Sequence, residues 1–345
     1  MGYVRNAWYV AGWHDDVADR PYPVSILGER IVLWRSEGRL VALEDRCIHR
    51  FAPLSLGRCE AGRLRCMYHG IMFDADGAIA EIPGQDIIPP NARARSYPVV
   101  EKHSWIWVWM GEAARADEAL VPPAVGLDDP NFILGRGHLD YAAEARLIND
   151  NLTDFSHLSF GHANSFQTGM DFADRQPKIT PVARGIRVDR WNVNAERRLA
   201  SGENVFGDTF ASYDFLIPGV LLMWSGSYPA GTAERLNFET PDFDDAIAAK
   251  NFTSQAVTPT GDKTSCYFFS WGPDSATGTP ELRDAMMALA GMAFNEDKVM
   301  IEAQQRVIDG HPAARIMPTA HDRGVGMFNR LVDSLARAET ESAAA

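Results

Sequence analysis

A chain of 345 residues, 46% of them hydrophobic, can bury a substantial core, and its length is that of about two domains. A formal charge of −13 argues against general binding to nucleic-acid phosphates, which needs clustered Lys and Arg, and the apolar runs stop short of the roughly 18 residues of a membrane helix. Four cysteines (Cys47, Cys59, Cys66 and Cys266) make no disulfide scaffold in a chain this long, so the closely spaced Cys and His point to metal instead. The opening segment Met1–Trp13 has no basic region ahead of an apolar core; neither a leader nor membrane attachment is expected, and cytoplasmic residence is the default.

The first 110 residues read as short strands. Ile26–Cys47 holds two β-rich runs separated by Ser36-Glu37-Gly38, and Ser104–Met110 alternates like a half-buried strand, so a small all-β domain is expected. Gly111–Pro130, rich in Ala, Asp and Pro, reads as a linker and places a boundary near residue 115, dividing the chain into 1–115 and 116–345. Glu144–Ser159 has helical spacing of Leu147, Ile148, Leu152, Phe155 and Leu158, with Gly161 as a stop. Gly185–Tyr267 reads mainly as strands. A long helix is expected from an N-cap at Thr279 and Pro280 to Gly310, and the alanine-rich tail from about Ala336 reads as frayed. The class is α+β.

Two constellations carry chemistry. Cys47-x-His49 is followed after sixteen residues by Cys66-x-x-His69. Two thiolates and two imidazoles suit tetrahedral zinc, and equally a Rieske [2Fe-2S] centre, in which the thiolates hold one iron and the imidazoles the other. Cys-x-His is tight for a zinc finger, but spacing alone leaves both open. The second set is Asp154, His157 and His162; on a helix Asp154 and His157 would share a face, and His162 can fold back past Gly161. Taken alone, two histidines five apart read as structural. In the late helix Asp297 has Ala293, Phe294 and Ile301 on its face, and a carboxylate in an apolar stripe needs a metal or partner to offset desolvation. Glu296, flanked by Met292, Ala293, Val299 and Met300, meets the same description, and periodicity does not separate the two.

NAWYVAG, CIHRFAPLSLG, CMYHG, IPGQ, WIWVW, INDNLTDFSH and FNEDKVMIEAQQR run almost end to end, and on them the chain resembles the Rieske non-haem iron oxygenases, in the branch of the oxygenase components of vanillate and dicamba O-demethylases. The resemblance implies an N-terminal Rieske domain followed by a helix-grip catalytic domain. It implies a [2Fe-2S] cluster on Cys47, His49, Cys66 and His69, and a mononuclear Fe(II) on His157, His162 and Asp297, an arrangement with open positions for dioxygen. It gives Asp154 a bridging role between the iron site and a cluster histidine, His69, of a neighbouring subunit, and hence implies a homotrimer. Asn151, one turn earlier, either lines the iron pocket or is an exposed helical Asn. The implied activity is O-demethylation of a methoxylated aromatic acid with O2 and electrons from NAD(P)H through a ferredoxin or reductase, releasing formaldehyde.

Ile48 departs from the family, where relatives often carry Pro; this removes loop rigidity but no ligand. Gln255 falls near the place where dicamba-type enzymes set a substrate-contacting histidine, which counts against dicamba itself as substrate. Ring or methyl hydroxylation would share every motif, whereas a pure Rieske electron carrier would need only the first 110 residues. Arg46, Arg50, Arg58, Arg63 and Arg65 crowd the cluster segment and read either as a docking patch for an acidic electron donor or as ordinary solvated arginines.

Overall fold

The computed structural model describes residues 2–18, 20–162, 164–166, 170–198 and 204–344. The chain begins with ten short strands: β1 (Trp8–Trp13), β2 (Tyr22–Ile26), β3 (Glu29–Ser36), β4 (Arg39–Glu44), β5 (Arg58–Glu60), β6 (Arg63–Arg65), β7 (Met72–Phe73), β8 (Ile79–Glu81), β9 (Val99–Lys102) and β10 (Trp105–Trp109). They form three antiparallel sheets, β1-β10-β9, β2-β3-β4 and β5-β6-β7-β8. Val32, Trp34, Leu43, Leu54, Leu64 and Phe73 pack between the last two, and Cys47 and Cys66 are buried in the same cluster.

The second half is built on a seven-stranded antiparallel sheet of β11 (Gly135–Tyr141), β12 (Lys178–Val182), β13 (Gly185–Arg198), β14 (Asn204–Leu216), β15 (Val220–Tyr228), β16 (Ala248–Gly261) and β17 (Thr264–Pro273), in the order β11-β17-β16-β15-β14-β13-β12. Because strand side chains alternate between faces, both faces of this sheet are committed. Val257, Tyr267 and Phe269 point into a core shared with Ala290, Ala293, Phe294 and Phe328 from the helices. Ala256, Cys266 and Phe268 point the other way, onto Trp8, Trp105, Trp107 and Trp109 of β1 and β10. Those tryptophans bury their rings against the sheet and hand each indole N–H to a carbonyl where one is in reach: Trp8 to Asp117, Trp107 to Lys102 and Trp109 to Glu112. The stretch after β10 is therefore not a free linker; Val121 and Ala124 are buried against the same tryptophans.

The helices are α1 (Ala145–Thr153), α2 (Leu158–Gly161), α3 (Asp171–Asp174), α4 (Thr232–Arg235), α5 (Pro280–Gly310) and α6 (Arg323–Ala344). The long helix starts where its capping residues require: the Thr279 hydroxyl accepts the Leu282 N–H at 3.2 Å, and Pro280 is the first helical residue. Two expectations are corrected. The helix expected over 144–159 ends at Thr153, because the Asp154 carboxylate takes the Ser156 N–H at 2.8 Å and starts a separate 3₁₀ turn, Phe155–His157. The alanine-rich tail does not fray at 336 but continues α6, since Glu339 accepts the backbone N–H groups of Arg5 (2.7 Å) and Asn6 (2.8 Å) and ties the helix to the start of the chain.

The contact of α6 with α1 includes a half-buried acid. Burial pushes the Asp150 carboxyl up to about 6 from its ordinary 3.8, against the lowering effect of the Asn329 amide, which donates to it at 2.8 Å. A carboxyl raised on folding stabilises while it is protonated and loses that contribution as pH climbs through its folded value. Asp150→Asn is therefore expected to match the parent near pH 4 and to exceed it by about 1–2 kcal/mol at pH 7. Denaturant midpoints measured across that range check this; a difference that does not grow with pH would refute it.

Candidate metal centres

Two turns present the first ligand set, and they share one backbone pattern. Cys47 N–H donates to Ala52 O (2.8 Å) while Cys47 O receives Phe51 N–H (2.9 Å); Cys66 N–H donates to Ile71 O (2.8 Å) while Cys66 O receives Gly70 N–H (2.9 Å). Closing each loop in this way puts its fifth residue in left-handed backbone, Phe51 at φ 59° and Gly70 at φ 77°. At Gly70 a side chain would also meet Pro83 Cγ at 2.8 Å, so glycine is required there twice over. The two turns sink both sulfurs and lift both imidazoles: Cys47 and Cys66 are buried, His49 and His69 exposed, with the two rings 4.6 Å apart. Burial pushes the Cys47 thiol up, with the Cys66 sulfur against it. Paired sulfurs on the inside and paired imidazoles on the outside fit a two-iron cluster with one iron facing the protein and one facing out.

A lone tetrahedral ion asks for something else, four donors gathered around one point. Among the described residues, the His, Cys, Asp and Glu ligand atoms that come together in a group of three within 4.8 Å belong to His157, His162 and Asp297. The Cys47, His49, Cys66 and His69 donors do not form such a group among the described residues; they would hold a two-iron cluster as a thiolate pair and an imidazole pair.

The second centre lies between α1, α5 and the segment joining α1 to α3. Ending α1 at Asp154 is what turns His157 inward, so Asp154 and His157 do not share a helical face. Instead the Asp154 carbonyl receives His157 Nδ1–H at 2.6 Å, and the Asp154 carboxylate is held by the Ser156 N–H and hydroxyl (2.8 and 2.9 Å). His162 Nδ1 faces Glu296 Oε2 at 3.0 Å, and the Ser165 hydroxyl donates to the same carboxylate oxygen at 2.5 Å. With both Nδ1 atoms engaged, both Nε2 atoms are left to point at Asp297 Oδ1, at 3.5 Å from His157 and 3.3 Å from His162. The choice between the two acids of α5 is thereby made: Asp297 joins the imidazoles, and Glu296 orients one of them from behind.

Asn151 is not an exposed helical residue. Its Nδ2 donates to Asp297 Oδ1 at 3.1 Å and lies 3.3 Å from His157 Nε2. Burial alone would push the Asp297 carboxyl up, but His157 and His162, when they carry protons on Nε2, outweigh it and hold it down to about 2; a bound cation would take the place of those protons. An ionised carboxylate facing two imidazole Nε2 atoms, with the fourth side bounded by an amide, is the donor set of a two-histidine, one-carboxylate iron site. Sequence reasoning missed Ser165 and the role of Glu296; nothing in their spacing marks them, since both act through the folded path of His162.

Around the cluster, four of the five arginines are neutralised. Arg46 pairs with Glu44, Arg58 with Glu60, Arg63 with Asp74, and Arg65 with both Glu60 and Glu81. Among the described residues Arg50 alone of the five has no ion pair. The exposed surface beside the histidines is instead apolar and aromatic, formed by Phe51, Met67 and Tyr68, whose ring lies 4.0 Å from that of His69. Replacing Asp297 by Ala is expected to abolish binding of the mononuclear iron while leaving two irons, two sulfides and the visible band of the cluster. Glu296→Gln should keep all three ligands yet weaken iron binding about 10–100-fold. Metal and sulfide analysis with iron titration checks both, and loss of the cluster in either variant would contradict the separation of the two centres.

Comparison with known proteins agrees with this geometry. Residues 7–98 match the Rieske [2Fe-2S] domain, and residues 141–338 match the vanillate O-demethylase oxygenase C-terminal domain. The iron-sulfur subunit of the toluene-4-sulfonate monooxygenase system of Comamonas testosteroni is 35% identical over 98% of this chain and 98% of its own. The vanillate O-demethylase oxygenase subunit of a Pseudomonas species is 32% identical over 99% and 97%. Among solved structures, dicamba monooxygenase bound to 3,6-dichlorosalicylic acid aligns with a TM-score of 0.89 and 27% identity, covering 99% of each chain. With its buried thiols, outward imidazoles and His157–His162–Asp297 set, the chain belongs to the Rieske non-haem iron oxygenases, oxidoreductases that act as the oxygenase components of Rieske monooxygenase systems and carry a [2Fe-2S] cluster and a mononuclear iron.

Proposed function

We propose that this oxygenase component O-demethylates a methoxylated aromatic acid, using O2 and electrons delivered from NAD(P)H by a ferredoxin or reductase. The observation that carries this reading is the convergence of the three-ligand set on an aromatic-rich sheet face, in a chain matched over 141–338 by the vanillate O-demethylase domain. Phe166 lies 5.2 Å from the His162 ring and 6.2 Å from Trp271, while Phe294, one turn before Asp297, packs 4.8 Å from Phe269. These edge-to-face rings surround the ligand set with apolar aromatic surface, the kind of lining that suits an arene.

In this reading Cys47, His49, Cys66 and His69 hold the cluster, residues 1–115 form the electron-storing part, and residues 116–345 form the oxidising part. His157, His162 and Asp297 hold the iron. Bound there, the two centres would supply one-electron storage and dioxygen activation. The remaining work falls to side chains: Asn151 fixes the Asp297 carboxylate, the Asp154 carbonyl and Glu296 fix the imidazole orientations, and the aromatic wall excludes water from the reacting carbon. We assign Asp154 the further task of linking His157 to His69 of an adjacent subunit in a homotrimer. The apolar rim of Phe51, Met67 and Tyr68 beside the cluster, and exposed Phe160 beside the iron ligands, supports such a head-to-tail contact. For the residence of the protein, no helix is long and apolar enough to cross a membrane among the described residues, and we place it in the cytoplasm.

A second reading is methyl hydroxylation. It is favoured by the toluene-4-sulfonate subunit, whose identity to this chain is 35% against 32% for the vanillate subunit. Gln255 bears on specificity in either case: its Oε1 accepts the Tyr267 hydroxyl at 2.6 Å and its Nε2 donates to Thr253 Oγ1 at 3.1 Å, so its amide is largely spent within the protein.

A panel of methoxylated and methylated aromatic acids with a generic reductase decides between the readings. Formaldehyde and a phenol are expected from a methoxylated acid; a hydroxymethyl product from a methylated acid, with no formaldehyde from any methoxyarene, would replace demethylation by the second reading. Asp154→Asn should retain iron and cluster but reduce turnover by about 100-fold or more. Turnover that survives this change, or full activity in a monomer by sedimentation, would remove the intersubunit link.

A further inference from the structure

The register of the seven-stranded sheet sorts its helix-facing side into rows. One row is Ile186, Phe215, Leu221, Gln255 and Phe269, and the next is Val188, Tyr213, Met223, Thr253 and Trp271. The rows that follow change character: Arg190, Ala211, Ser225 and Asn251, then Asn192, Thr209 and Ser227. A sheet face that begins as packed core and ends in small polar groups around an arginine, still under cover, has a chemical gradient built into it.

The polar end is not satisfied internally. Arg190 is 6% exposed, and among the described residues no carboxylate lies within ion-pairing distance of it. Its Nη1 donates to the carbonyls of Phe172 (3.2 Å) and Arg175 (2.7 Å), which leaves Nη2 and Nε unused. Ser227 is 5% exposed, and its hydroxyl is buried without a hydrogen-bond partner; the amide oxygen of Asn192 is orphaned as well, and turned over, that amide would present its N–H group. Ser225 Oγ accepts from Asn251 Nδ2 at 2.8 Å, so its own proton is free to donate. A buried guanidinium with no carboxylate in direct contact, offset by the more distant Asp154 and by the Phe172 ring 5.0 Å away, and a buried Ser227 hydroxyl without a partner are costly unless something completes them.

Contacts connect this end to the iron ligands. His162 touches Phe166, Phe166 meets Trp271 edge to face, Trp271 Nε1 donates to Asn251 Oδ1 at 2.8 Å, and Asn251 donates to Ser225. Ser225 and Arg190 flank Ala211, whose methyl leaves the space between them open.

We propose that Arg190, with Ser225 and Ser227, forms an anion subsite that takes the carboxylate or sulfonate of the aromatic substrate. The ring would then lie along the Met223 and Thr253 row, beneath the three iron ligands. The proposal rests on the aromatic-acid reading above and supplies its recognition element: several donors and one fixed positive charge, matching a group with two or three acceptor oxygens.

The test is binding without turnover, by calorimetry on iron-loaded protein lacking reductant. The probes are vanillate and toluene-4-sulfonate, each set against its neutral counterpart, methyl vanillate and toluene-4-sulfonamide. Arg190→Met is expected to weaken the anions about 10–100-fold and the neutral compounds by no more than about twofold. Equal losses for both kinds would show that Arg190 serves only to pin the Phe172–Arg175 turn, and no loss would show that it faces no ligand; either overturns the subsite. Ser227→Ala guards against misfolding of the first variant. It should raise the melting temperature of the ligand-free protein, because an orphaned hydroxyl is removed, while weakening anion binding about threefold or more. A raised melting temperature with unchanged anion affinity would overturn the proposal. Wild-type protein that binds anions independently of Arg190 and Ser227 defeats the subsite alone, whereas wild-type protein that binds only the neutral compounds defeats the aromatic-acid reading with it.

Discussion

A carboxylate on the apolar flank of α5 sets the conditions that the rest of the catalytic half meets. Asp297 lies among Ala293, Phe294 and Ile301, where an ionised group is costly unless cations or donors surround it. Two imidazole Nε2 atoms, carrying protons or sharing a cation with the carboxylate, and one amide N–H provide that environment, and each must be held in place by something else. The constraint therefore propagates outward. His157 needs α1 to stop at Asp154 so that a backbone carbonyl is free to receive its Nδ1 proton. His162 needs Glu296, on the next residue of α5, and Glu296 needs Ser165. A three-ligand centre thus recruits a helix break, a second acid and a serine before any metal enters.

The other centre solves the opposite problem. The iron ligands are gathered inward around one point, whereas the cluster ligands are sorted by depth, with thiols in the hydrophobic cluster under the small sheets and imidazoles on the surface. Two loops with the same hydrogen-bond pattern achieve this without help from the catalytic half, because each is closed by its own cysteine's backbone. The tryptophans of β1 and β10 then couple the halves mechanically, filling the face of the seven-stranded sheet that the helices leave uncovered.

That division of the sheet also bears on the polarity gradient of its helix-facing side. With one face given over to the tryptophan layer, the helix-facing side is the one that adjoins His157, His162 and Asp297, and its rows nearest α6 and α1 pack Phe328 against Phe215. Gln255 and Thr253 satisfy each other there, and the far rows are mostly polar. A ligand with an apolar ring and a charged end is oriented by this layout before any individual hydrogen bond forms.

Much of this was legible in the amino-acid order, because it depends on local spacing. The cluster turns, the caps of α5 at Thr279 and Pro280 and the strand-rich halves are written in short motifs whose geometry is fixed within a few residues, whereas His157 and His162 read as structural by spacing alone and became candidate ligands only through the family resemblance. What spacing could not supply was anything that depends on where chain segments far apart in sequence meet. Asp297 and Glu296 are equivalent by helical periodicity and were separated only when His162 arrived from 134 residues away. Asn151 could face solvent or metal until α5 was laid beside α1. The cluster arginines could be a docking patch or ordinary solvated side chains until Asp74 and Glu81 were folded against them, and the tail looked frayed until Glu339 reached Arg5 and Asn6. The sequence by itself determined which chemistry the chain can host, since ligand type and spacing are local. Only the tertiary structure decided which acid faces both imidazoles and which backs one of them, because those placements are set by burial and by partners from distant segments.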